Sequence, residues 1–167
     1  MDGSHPLVSD LLDRLELALA QPVDFTATDT ASTLDKVRLL TAAATYFNIL
    51  SVTDFGGRSG AIRADGLVEH AVGAAFQTFG GVEAHPGPFE KAAMLLRGIT
   101  QGHPFTDGNK RTGFLLASYY LRLVGYPPPQ RLADEEVIEF CLRVSAGEIR
   151  DIGAITVQLR RFWRTQG

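Results

Sequence analysis

The chain carries a single cysteine, Cys141, among its 167 residues. One thiol excludes an internal disulfide and suits a reducing compartment. Its setting, Val137-Ile138-Glu139-Phe140-Cys141-Leu142, reads as the buried face of a helix, so a core role is expected rather than a reactive one. Long apolar runs are missing too, and the first residues include acids, so neither a signal peptide nor a membrane span is expected and the chain reads as cytoplasmic. Excess positive charge is likewise absent: the formal net charge is −3, which argues against a broad nucleic-acid footprint and against direct nucleic-acid binding. His5, His70, His85 and His103 form no H-x3-H pair and the thiol stands alone, which argues against zinc. His70 and His85 read as ordinary helix-surface and loop residues. Neither repeats nor low-complexity segments interrupt a composition that is 45% hydrophobic and 21% charged, as in a soluble globular domain.

What the chain does have is concentrated in one stretch, His103-Pro104-Phe105-Thr106-Asp107-Gly108-Asn109-Lys110-Arg111-Thr112-Gly113. From Asn109 to Gly125 apolar residues recur at helical spacing, so Asp107-Gly108 reads as a helix entry. Such an entry leaves backbone N–H groups outside the helical ladder and carries partial positive charge, which suits an anion. His103 offers an imidazole that takes up a proton near neutral pH; a loop histidine bonded to a nearby carbonyl is the alternative. Asp107 offers a hard oxygen for Mg²⁺, with a simple N-cap as the competing role. Gly108 permits close backbone approach to a phosphate, the Asn109 amide can donate to the same anion, and Lys110 and Arg111 add side-chain charge. Phe105 has no such chemistry and is expected to anchor the loop in the core, while Thr106 contributes its backbone more than its hydroxyl. A P-loop does not fit: five residues separate Gly102 from Gly108 where four are required, and Asn109 precedes Lys110.

This stretch resembles the Fic/Doc family, whose signature H-x-F-x-[DE]-[GA]-N continues as G-R-x-x-R in adenylyl-transferring Fic enzymes and as K-R-T in Doc-type toxins. Lys110-Arg111-Thr112 is the Doc-type form. The likeness extends upstream through Arg63 to Ala71, Thr78-Phe79-Gly80-Gly81 and Phe89 to Ala93, so that roughly residues 54 to 150 look like a Doc domain. The resemblance implies that His103 is the general base, that Asp107 holds Mg²⁺, and that Thr106, Gly108, Asn109, Lys110 and Arg111 bind ATP. In adenylyl-transferring members a small residue follows Gly-Asn, and an arginine three positions after the first holds the γ-phosphate. Here Lys110 and Phe114 occupy those positions. In the Doc-type branch the nucleotide is reversed and the γ-phosphate faces the histidine. The implied activity is therefore transfer of that phosphate to a hydroxyl of a target protein, a translation factor such as elongation factor Tu. AMP transfer and a catalytically silent binding domain are the alternatives. Motif-type autoinhibition, [ST]-x-x-x-E-[GN], is absent, since the nearest stretch, Ser9 to Arg14, has Asp13 and Arg14 at the two defining positions. A small separate antitoxin is the implied partner.

The expected fold is all-α, with six to seven helices in one globular domain: an N-terminal helical extension over residues 1–50 packing on a Fic/Doc domain over 51–167. A leucine stripe marks a helix from Leu7 to Leu19, and a second is expected from a cap at Ser32 or Thr33 to about Ser51. Others are expected from Asp65 to about Phe79, Pro88 to Gln101, Asn109 to the proline run Pro127-Pro128-Pro129, Ala133 to Ala146 and Asp151 to Trp163. A two-stranded flap near residues 57 to 63 beside the active site is implied by the resemblance.

Overall fold

The computed structural model describes residues 23–27, 29–55, 62–129, 132 and 134–164. Six α-helices and one small hairpin make up its regular structure among these residues: α1 (Thr30–Phe55), α2 (Leu67–Gly73), a 3₁₀ turn (Ala74–Phe76), β1 (Thr78–Phe79), β2 (Val82–Glu83), α3 (Pro88–Gly102), α4 (Asn109–Leu123), α5 (Asp134–Ser145) and α6 (Ile152–Arg164). The all-α expectation holds. The helix expected over Leu7 to Leu19 and most of the flap near 57 to 63 lie outside the described residues.

Helix α4 is the centre of the molecule. Every residue from Thr112 to Leu121 is buried, which a surface helix with one apolar stripe never achieves. It is enclosed by α1 on one side and α3 on another, while α2, α5 and α6 pack around α3 and close the core. Gly113 sets the closeness of the central pair. A β-carbon there would lie 2.8 Å from Thr100 Cγ2 and 3.2 Å from the Leu96 carbonyl oxygen, so only glycine lets α3 and α4 approach this far.

Local chemistry explains several element ends. Asp29, rather than Ser32 or Thr33, caps α1: its Oδ1 accepts from the Ser32 N–H at 2.9 Å and its Oδ2 from the Ser32 hydroxyl at 2.6 Å. Asp151 does the same for α6, accepting from the Ala154 N–H at 2.9 Å. Helix α4 stops before the proline run. Gly125, at φ 96°, lets its own N–H reach the Arg122 carbonyl at 3.1 Å and that of Tyr126 reach Leu121 at 2.8 Å. The helix expected from Asp65 to Phe79 is shorter: α2 ends at Gly73, tightens into the 3₁₀ turn and gives way to β1. Thr78 pairs with Glu83 and Phe79 with Val82 around Gly80-Gly81, both at positive φ, so the hairpin lies some twenty residues after the expected flap.

Candidate active site

His103 begins the site at the C-terminal end of α3. Its N–H donates to the Ile99 carbonyl at 3.2 Å, closing the helix, and its backbone then turns left-handed at φ 46°, ψ 54°. Among the described residues it is the only non-glycine at positive φ. That conformation is uncommon for a side-chain-bearing residue, and it is held here by the elements on both sides. The turn directs the chain out of α3 and into the loop, with the His103 imidazole exposed.

The loop that follows is tied down by its neighbours. Phe105 is fully buried, as expected of the anchor. Its N–H donates to Asn109 Oδ1 at 3.0 Å, and its carbonyl accepts from Asn109 Nδ2 at 2.9 Å. Both ends of the Asn109 amide are therefore engaged with the loop's own backbone, which leaves its main-chain N–H at the helix start as the donor available to an anion. On the outer edge, the Arg63 N–H donates to the Pro104 carbonyl at 2.8 Å and Ile62 forms an antiparallel bridge with Phe105. The Arg63 guanidinium adds a bond to the His103 carbonyl at 3.0 Å. Thus the last residues of the expected flap region pair with the motif itself.

Helix α4 starts at Asn109 from Gly108, which sits at φ 76°. The Thr112 N–H bonds the Gly108 carbonyl at 3.0 Å, and the Asn109 and Lys110 N–H groups precede that rung at the positive end of the dipole. Asp107, Thr106, Lys110 and Arg111 are exposed around this helix start. Asp107 Oδ1 accepts from the Gly108 N–H at 2.7 Å, and the Arg111 guanidinium approaches the Ser51 carbonyl at 3.5 Å. All seven residues singled out from the sequence thus belong to one loop and helix entry, with His103 at one end and the cations at the other. Mg²⁺ fits the donor chemistry: the exposed Asp107 carboxylate at the helix start is a hard oxygen donor that suits a cation which keeps most of its water. No group of three or more His, Cys, Asp or Glu side chains is gathered among the described residues, so no ready-made all-protein metal cage is present among them.

Two further residues decide what the site lacks. Phe114, three positions after Arg111, is only 5% exposed and its ring meets Trp163 with centroids 6.3 Å apart. That position faces the core. Cys141 is buried too, and burial pushes its thiol up to about 12, against a weaker downward pull from Lys110. It lies on the buried face of α5, as expected. His70 lies exposed on α2, and partial burial holds the half-buried His85 below the usual imidazole range.

Sequence reasoning missed the support that α1 gives this loop. Asn48 is fully buried and donates from Nδ2 to the Asp107 carbonyl at 2.7 Å and to Thr112 Oγ1 at 3.2 Å. No motif marks it. A polar residue one position after the inward-facing Phe47, in register with Leu40 and Ala44, was the available signal.

An all-α fold with a histidine-to-helix loop of this form is that of the Fic/DOC family, whose model matches residues 33–121. The chain belongs to this family. It is 33% identical over 132 residues to Toxin Doc of Mycolicibacterium smegmatis, an alignment that covers 77% of this chain and 92% of that protein. The match places the chain with the Doc branch, in agreement with Lys110-Arg111-Thr112.

Proposed function

We propose that this protein is a Doc-like toxin that transfers the γ-phosphate of ATP to a hydroxyl of a target protein, a translation factor such as elongation factor Tu. The observation that carries this reading is the pairing of an exposed Lys110 at the start of α4 with a Phe114 buried against Trp163. Adenylyl transfer in this family uses space at the first position and a cation at the second. Here the first holds a long charged side chain and the second has no access to the ligand.

In the proposed reaction His103 accepts the proton of the target's hydroxyl as that oxygen attacks the γ-phosphorus. The bond between phosphorus and the β–γ bridging oxygen breaks, and ADP leaves with the electron pair. The N–H groups at the start of α4, with Lys110 and Arg111, hold the phosphates and offset their charge. Asp107 would hold Mg²⁺, which when bound supplies further charge neutralisation. Phosphoryl transfer asks mainly for positioning and electrostatics, and this loop is built for both. The extended backbone at Ile62 and Arg63, next to His103, is where a target segment would align.

The reading implies a bacterial cytoplasmic setting and a small antitoxin partner. No helix among the described residues is long and apolar enough to cross a membrane. Expression in a bacterium without an antitoxin tests the toxin reading: the parent should arrest growth and His103→Ala should not. Intact-mass analysis of the modified target should find one added phosphoryl group. An added nucleotidyl group, or equal growth with both chains, contradicts the proposal.

A further inference from the structure

We infer that Asn48 is a positioning residue for the transfer proposed above, acting through the peptide between Asp107 and Gly108; the inference rests on that reading of the site. Asn48 stands 59 residues before Asp107 on a different helix, yet one of its amide hydrogens is directed at the Asp107 carbonyl at 2.7 Å. The same nitrogen lies 3.2 Å from Thr112 Oγ1, in the first turn of α4. A single buried amide therefore connects the end of the loop to the start of the helix.

The consequence falls on Asp107. Its carbonyl and the Gly108 N–H belong to one peptide plane, and they point to opposite sides of it. Asn48 holds the carbonyl, while the N–H donates to the Asp107 carboxylate at 2.7 Å. A peptide beside a glycine turns over easily, because glycine accepts both signs of φ. With the carbonyl held from α1, that rotation is blocked and the carboxylate stays beside the helix start. Packing reinforces the hold: a β-carbon on Gly108 would lie 3.1 Å from Asn48 Nδ2.

A second observation indicates that stability alone does not account for this residue. Asn48 Oδ1 is buried and has no hydrogen-bond partner among the described residues. An unpaired buried acceptor costs free energy, which an apolar side chain of similar size would avoid. Asn48 keeps that penalty and supplies a donor to the one peptide that aims the carboxylate. Such local compromises are characteristic of functional sites.

The test uses the full chain with Asn48→Leu, which keeps the branched shape and removes the donor, and Asn48→Ala, which only removes atoms. Hydrogen exchange at the Gly108 amide, read without nucleotide or Mg²⁺, should quicken in both variants by about 10-fold or more while that of the core amide of Leu116 stays as in the parent. In the γ-phosphate transfer assay kcat should fall about 10- to 100-fold, with KM for ATP within about 3-fold of the parent. Parental kcat in a folded variant, or unchanged Gly108 exchange, overturns the inference. Loss of the fold in both variants also overturns it, assigning Asn48 to stability. An inactive parent with accelerated Gly108 exchange in the variants sinks the reaction reading and leaves the clasp standing.

Discussion

The side chain of Asn109 closes on both backbone groups of Phe105, accepting from its N–H at 3.0 Å and donating to its carbonyl at 2.9 Å. One residue thereby joins the start of α4 to the buried anchor of the loop. Asn109→Asp retains the acceptor but sets a carboxylate against the Phe105 carbonyl. Loss of the bond with a buried partner left unsatisfied should cost about 1–3 kcal/mol in urea unfolding. Stability equal to the parent would show that the loop does not depend on this contact.

His103 and Phe105 are two residues apart and should behave oppositely. His103→Ala should abolish transfer and change stability by no more than about 1 kcal/mol, because the imidazole is exposed. Phe105→Ala removes a fully buried ring and should cost about 3–5 kcal/mol. Turnover at the parental level in His103→Ala would remove the general base from the account.

Gly113 should be intolerant of even one methyl group. Its β-carbon would meet Thr100 Cγ2 at 2.8 Å, so Gly113→Ala should cost about 1–3 kcal/mol through displacement of α3 against α4. Thr100→Ser removes the opposing methyl. The double variant should regain part of the loss, and strict additivity would rule out direct contact as the cause.

Alkaline pH should weaken the fold in a defined direction. Burial raises the Cys141 thiol from 9.0 to about 12 and raises the Tyr120 phenol above its usual value. The folded chain therefore keeps protons that the unfolded chain releases. Stability from these groups is present below their ordinary values and declines as pH rises from about 9 towards their folded ones. The urea midpoint should fall between pH 8 and pH 10.5, less steeply in Cys141→Ala. A flat profile contradicts the burial argument.

The helices α3, α5 and α6, and the start of α4, were legible within a residue or two from apolar spacing together with the flanking prolines and glycines. The anchor role of Phe105 and the burial of Cys141 were legible for the same reason. The hairpin was not, because strands of two residues are too short to show alternation. Gly80-Gly81 was its available signal, being a turn pair suited to positive φ at both positions. The cap at Asp29 was displaced by three residues because aspartate, serine and threonine all serve that role and cluster there. Asn48 was hidden for a deeper reason: its partners lie some sixty residues away, and only folding reveals a donor aimed at the Asp107 carbonyl.

The label position in a transfer reaction tests the central claim most directly. The protein would be incubated with a bacterial lysate, Mg²⁺ and ATP labelled at either the γ- or the α-phosphate, with His103→Ala and Asp107→Ala in parallel. An exposed Lys110 at the helix start and a Phe114 turned into the core predict γ-label in a protein band, absent from both variants and removed by chelation. Incorporation of α-label, or γ-label undiminished in His103→Ala, would contradict it.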